Sequence, residues 1–240
     1  RGIHRNNYAD FPLIDMIFGT FTNPKNYHPR VYVEDLIALV DALGLDTFAL
    51  IGSSLGGLIS MFLATILPER VSAVILNDIG PEVNLAGLDR IRSYVSDPGE
   101  VGSWEEAVEK TRSIHGAAFP DFEKKDWQSF AEKLYNADDS GNLTIAYDPT
   151  IAVLMNEDHD AVAPPELWPI FEIIPNIPLM LVRGILSDII TEDTVKKMLD
   201  SKPGMKIVDV ANRGHAPLLS EPECLENIDL LLSAAFANNT

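Results

Sequence analysis

One short stretch, Leu50-Ile51-Gly52-Ser53-Ser54-Leu55-Gly56-Gly57, constrains this chain more than any other. The apolar run Phe48, Ala49, Leu50, Ile51 has the character of a strand, and Leu58–Leu67 that of a helix. Between them lies G-x-S-x-G with Ser54 at its centre. A strand that turns this sharply into a helix forces its middle residue into a strained backbone conformation. Glycines two positions to either side leave room for the strand–helix crossing. The serine hydroxyl is thereby held above the sheet edge, beside the backbone N–H groups of a helix N-terminus. Ser54 is therefore the candidate nucleophile; the plainer alternative is a glycine-rich turn with an idle serine.

A chain of 240 residues with 46% hydrophobic residues can bury one sizeable core, with or without an inserted subdomain. Its formal net charge of -18 repels phosphate backbones and anionic headgroups, so neither nucleic acid nor a membrane is expected as a partner. A small-molecule substrate is. Cys224 is the single cysteine, which excludes an intrachain disulfide and a thiolate metal site. No apolar run is long enough for a membrane span. A cytoplasmic location is expected, with secretion left open because the chain starts at Arg1 rather than at a methionine. Nothing in the composition speaks to oligomeric state.

Periodicity organises the rest. Residues 1–30 show no clear period. Val33, Leu36, Ile37, Val40 and Leu43 share one helical face over about Val31–Leu43, and Gly44 supplies a stop. A strand at about Thr47–Ile51, the serine turn, a helix ended by Pro68 and a buried strand at Val71–Leu76 make a parallel strand–helix–strand unit. Helical segments then dominate: Leu88–Val95, Trp104–His115, Asp126–Tyr135 and Pro165–Ile174. A strand at Pro178–Arg183, a helix at Glu192–Asp200, a strand at Met205–Val210 and a helix at Pro222–Phe236 close the chain. The organisation expected is an α/β core in two parts, 1–79 and 178–240, with a helical insertion at 80–177.

A serine hydroxyl needs an adjacent base, commonly a histidine held in one tautomer by a carboxylate. His215, in Asn212-Arg213-Gly214-His215-Ala216-Pro217, follows the Met205–Val210 strand and so lies at the same sheet edge as Ser54. It is the candidate base. The other four histidines read differently: His4 and His28 as surface residues, and His115 as a cation suited to a helix C-terminus, with a place in the substrate pocket as its alternative. His159, in Glu157-Asp158-His159-Asp160, reads as a solvated acidic turn rather than a metal ligand. Two carboxylates compete for the acid. Asp188, in Arg183-Gly184-Ile185-Leu186-Ser187-Asp188, is preferred; Asp78, directly after the Val71–Leu76 strand, is the alternative acid. The order Ser, Asp, His along the chain is that of one particular fold.

In these segments the chain resembles the α/β-hydrolase superfamily, and within it the cap-bearing bacterial hydrolases. Tyr32-Val33-Glu34-Asp35-Leu36, Leu76-Asn77-Asp78-Ile79-Gly80-Pro81 and Leu167-Trp168-Pro169 add to the likeness, which covers roughly Asn26 to Phe236. The resemblance implies an α/β-hydrolase fold, with an eight-stranded, mostly parallel sheet flanked by helices and a helical cap over the active site. It assigns Ser54, Asp188 and His215 the roles of nucleophile, acid and base, and the backbone N–H of Leu55 that of an oxyanion-hole donor. No cofactor and no metal are implied. The implied activity is a serine hydrolase acting on a carboxylic ester, lactone or thioester through an acyl-enzyme. The alternatives are a C–C bond hydrolase or acyltransferase with the same triad, or a truncated, non-catalytic homologue. Trp104, Phe119, Phe122, Trp127 and Trp168 would make the cap lipophilic, as substrate contacts or as its own core. The departure from the family lies at the start. Arg1-Gly2 matches the end of a family motif, but residues 3–22 do not follow the pattern. The first strands and the loop bearing the second oxyanion amide are therefore expected to be missing, leaving the Ser54 strand as a sheet edge.

Overall fold

Four apolar, branched runs pair as one parallel sheet. They are β1 (Phe48–Ser53), β2 (Val71–Asn77), β5 (Leu179–Gly184) and β6 (Lys206–Val210), in the order β1-β2-β5-β6. The computed structural model describes residues 27–96, 99–148, 151 and 167–237. Burial explains the composition of each strand. The inner strands β2 and β5 are buried at nearly every position, whereas β1 and β6, at the two ends of the sheet among the described residues, expose some of theirs. Of the eight strands the resemblance implies, these four lie among the described residues. The segment 3–22 and Arg1-Gly2 lie outside them, as do His4 and the acidic turn around His159.

Each face of the sheet is covered by helices whose apolar stripe matches it. Helix α8 (Pro222–Phe236) sets Cys224, Ile228 and Leu231 against Ala73, Ile75, Met180, Val182, Val208 and Val210, which alternate along their strands. Val33 of α1 (Pro29–Ala42) packs with Ile59 and Leu63 of α2 (Leu55–Ile66), and Leu50 of β1 joins that cluster. Helix α2 starts at once after Ser54, a turn earlier than its apolar run suggests, because Gly56 and Gly57 occupy its first turn. Helix α7 (Glu192–Ser201) connects β5 to β6 and is opened by Thr191, whose hydroxyl accepts from the N–H of Thr194 at 3.1 Å.

The described contacts fall into two compact units, one within Pro29–Leu88 and Ala163–Thr240, the other within Arg1–His28 and Asp89–Val162. Both ends of the segment expected as an insertion, 80–177, group with the sheet. Leu167 N–H donates to the Pro81 carbonyl at 2.8 Å just before α6 (Trp168–Ile173). Helix α3 (Leu85–Ser96) runs across the boundary. The second unit is built from α4 (Trp104–His115), α5 (Lys124–Leu134) and a hairpin of β3 (Tyr135–Ala137) and β4 (Leu143–Ile145). Val101, Ala107, Ala131, Tyr135 and Leu143 form its buried core. The hairpin replaces the helical end expected at Tyr135. Asp138 accepts from the N–H groups of Ser140 and Asn142, and Gly141 takes φ 85°, so a tight turn forms where the helix would have run on.

Candidate active site

Three loops at the C-terminal edge of the sheet bring the site together. Ser53 of β1 is in register with Asn77 of β2, so Ser54 and Asp78, one residue beyond each, leave adjacent strands side by side. Asp78 N–H donates to the Val182 carbonyl of β5 at 2.8 Å, which carries the ladder past the strand end. Ser54 has φ 49° and ψ -119°, and its N–H donates to the Asn77 carbonyl at 3.1 Å. The non-glycine residues with positive φ among the described ones are Ser54, Asp78, Asn212 and Leu219, all in these loops. Backbone strain of this kind gathers where a site dictates the conformation.

The turn depends on its glycines unequally. A Cβ on Gly52 would overlap the backbone of Gly56, and one on Gly57 would overlap the side chain of Ile79; a Cβ on Gly56 would meet nothing within 4 Å. Gly56 thus matters for its backbone, which lies against Gly52, and the close packing falls on Gly52 and Gly57.

His215 Nε2 lies 2.9 Å from Ser54 Oγ, and His215 Nδ1 lies 2.8 Å from Asp78 Oδ2. The Asp78 side chain is wholly buried and that of His215 is 7% exposed. A carboxylate only accepts, so in the neutral imidazole the proton sits on Nδ1. Nε2 then presents its lone pair to the serine hydroxyl. The acid preferred from the sequence, Asp188, is not what His215 meets; Asp78 is. The reason is local geometry. Asp78 directly follows the strand beside β1, whereas Asp188 comes after a turn closed by the Ser187 N–H to Gly184 carbonyl bond at 2.9 Å. That turn brings Ser187, one residue early, to Asp78 Oδ2 at 2.5 Å. Asp78 Oδ1 accepts from the Gly184 N–H at 2.9 Å.

The His215 loop is tied down on both sides. Its backbone crosses Gly184, where a Cβ would overlap Arg213 and press the Gly214 carbonyl at 2.5 Å. Asn77 Nδ2 donates to the Pro217 carbonyl at 2.9 Å and to Ser53 Oγ at 2.7 Å. Arg213 Nε donates to Glu221 Oε1 at 2.8 Å, and the same oxygen accepts from the Leu218 N–H at 3.1 Å. Asn77 and Ser187 are the residues that sequence reasoning missed. A lone Asn at the end of the buried run Val71–Asn77 is the one signal that could have exposed the first.

Leu55 opens α2, so its N–H belongs to the first turn, whose donors have no acceptor within the helix. Gly57 and Leu58 turn their N–H groups back to the Ser54 carbonyl, at 2.8 and 3.3 Å. An oxygen placed over Ser54 would find the Leu55 N–H and the positive end of the helix dipole. Cys224 offers no rival nucleophile. It is buried in the sheet–α8 core, and burial pushes its thiol up to about 12. Among the described residues no group of three or more His, Cys, Asp or Glu could hold a metal ion.

The remaining candidates lie elsewhere. His28 is exposed. His115 stacks edge-on against Tyr94 at 5.2 Å and lies 5.2 Å from Phe130; burial first, then the Arg90 charge, lower its pKa to about 4. It is therefore neutral at neutral pH, which overturns its reading as a helix-terminal cation. Phe119, Phe122 and Trp127 pack on one another and on Phe130, with centroids 4.7 to 6.4 Å apart, as a core of their own unit. Trp104 is 38% exposed. Trp168 Nε1 donates to Glu82 Oε2 at 3.2 Å.

Known proteins are similar to this chain in sequence and fold. Residues 13–223 match the model of the alpha/beta hydrolase family. The 3-hydroxybutyrate-oligomer hydrolase of Cupriavidus necator is 31% identical over 197 residues, 80% of this chain and 67% of that protein. An alpha/beta hydrolase from Novosphingobium aromaticivorans superposes with a TM-score of 0.82 at 37% identity, over 88% of this chain and 74% of its own. An esterase from Mycobacterium tuberculosis, at 22% identity and a TM-score of 0.64 over 87% and 68% of the two chains, shares the fold.

Proposed function

Because the chain belongs to the alpha/beta hydrolase family, we propose that it is a serine hydrolase of carboxylic esters that uses Ser54, His215 and Asp78. The observation that carries this reading is the unbroken relay Ser54 Oγ, His215 Nε2, His215 Nδ1, Asp78 Oδ2, with links of 2.9 and 2.8 Å. In the first step His215 Nε2 takes the Ser54 proton as Oγ attacks the ester carbonyl carbon. Asp78 keeps the imidazole in the required tautomer and stabilises the imidazolium. The carbonyl oxygen gains negative charge and accepts the Leu55 N–H. The imidazolium then protonates the departing alkoxide, leaving an acyl-Ser54. Water, deprotonated by His215, attacks that ester, and Ser54 recovers its proton from the same ring.

An ester of a short hydroxy acid is the substrate class we favour, supported by the likeness to the 3-hydroxybutyrate-oligomer hydrolase over 80% of the chain. The completeness of the relay, with the Asp78 carboxylate held also by the Gly184 N–H and the Ser187 hydroxyl, speaks against a non-catalytic homologue. A fluorophosphonate probe should label the protein on Ser54 and leave the Ser54→Ala variant unlabelled. p-Nitrophenyl esters from acetyl to octanoyl should be turned over best at the short end, and the trimer of 3-hydroxybutyrate should be cleaved. A folded protein that takes no label and turns over none of these esters would overturn the reading.

A further inference from the structure

Asp78 has two oxygens to satisfy in a fully buried place, and backbone and histidine account for only part of that demand. Oδ1 takes the Gly184 N–H. Oδ2, the oxygen that faces His215, is shared with Ser187 Oγ at 2.5 Å. The direction of that bond is determined. Ser187 Oγ accepts from the Ile189 N–H at 3.2 Å, and a carboxylate offers only acceptors, so the single hydroxyl proton of Ser187 points at Asp78. Ser187 stands on the β5 loop, 109 residues from Asp78 along the chain, at the strand end where an acid was expected.

We infer that Ser187 is a positioning residue for the proposed relay: its hydroxyl fixes the carboxylate of Asp78 and withdraws negative charge from the oxygen that faces His215. The inference rests on the reading of Asp78 as the acid. A hydrogen bond to a carboxylate favours its charged form and spreads its charge. With Ser187 in place, Oδ2 is a weaker partner for the imidazolium than a bare carboxylate oxygen would be. Removing the hydroxyl leaves Oδ2 more basic, stabilises protonated His215, and loosens the carboxylate about its remaining bond to Gly184. Two effects follow, and they differ from those of general destabilisation. The turnover number falls while KM stays, because no substrate contact is lost. The acid limb of the kcat/KM profile, which reports the free histidine, moves to higher pH.

The experiment is the pH profile of p-nitrophenyl butyrate hydrolysis for the unaltered chain, Ser187→Ala, Ser187→Thr and Asp78→Asn, with each variant's thermal midpoint recorded. Ser187→Ala is expected to lose about tenfold in kcat, equivalent to ~1.4 kcal/mol, with KM unchanged and the acid limb displaced upward. Ser187→Thr, which keeps the hydroxyl, is expected to restore the limb. If Ser187→Ala does not fold, Ser187→Cys, nearly the same size with a weaker donor, takes its place with the same expected displacement. An acid limb that stays put in a folded Ser187→Ala or Ser187→Cys protein overturns the inference. Full activity in Asp78→Asn overturns instead the reading beneath it, so the two failures are told apart.

Discussion

At the scale of single residues, Ser54 and His215 were legible because each sits in a local pattern: a glycine-framed turn after one strand, a Gly-His loop after another. The carboxylate that meets His215 was not the one ranked first, because both Asp78 and Asp188 follow strand ends and only the turn at Gly184–Ser187 decides which reaches the imidazole. Asn77 and Ser187 act across strands, on Pro217 and Asp78, and nothing in their immediate neighbours announces a partner so far along the chain. Ser54→Ala should lower kcat by about 10⁶-fold, measured as ester turnover against Asp209→Asn, an exposed ion-pair residue on β6, as a control for handling. His115 gives a prediction in pH. Its folded pKa is about 4 against an ordinary 6.5, so the unfolded chain binds the extra proton first. The stability it affects is intact above about 6.5, falls as the pH drops towards about 4, and changes no further below that. The loss amounts to ~3 kcal/mol over the window. Urea unfolding of the unaltered chain should show that slope, and His115→Phe should flatten it.

At the scale of elements, the periodic helices and branched strands were readable to within a few residues, since burial on both faces of β2 and β5 demands uninterrupted apolar runs. The β3–β4 hairpin escaped because its signal is turn chemistry at Asp138–Asn142 rather than periodicity. The elbow itself yields a paired prediction. Gly52→Ala drives a Cβ into the backbone of Gly56, and should cost about 1–3 kcal/mol or prevent folding. Gly56→Ala points into open space on the first turn of α2, and should raise stability by up to ~1 kcal/mol through helix propensity. Denaturant midpoints of the two variants check the contrast; equal losses would mean the two glycines are used alike.

At the scale of the whole molecule, a parallel sheet collects the C-terminal ends of β1, β2 and β6 at one edge, and residues 24, 137 and 161 positions apart meet there in hydrogen bonds. That convergence was legible from topology. How the chain divides was less so, because Leu85–Leu88 and Trp168–Ile173 have helical patterns like those of 104–134 yet group with the sheet. The net charge of -18 acts on the whole molecule too. Between about 0.01 and 1 M salt the screening length falls from about 30 to 3 Å. kcat/KM for an ester carrying a carboxylate should therefore rise with salt while that for its neutral counterpart stays level. The central claim is that the acid comes from the end of β2 and not from the loop after β5. It is tested most directly by comparing kcat for Asp78→Asn and Asp188→Asn on one ester. Asp78→Asn should fall by about 10⁴-fold and Asp188→Asn should stay within about tenfold of the unaltered chain; the reverse order would contradict it.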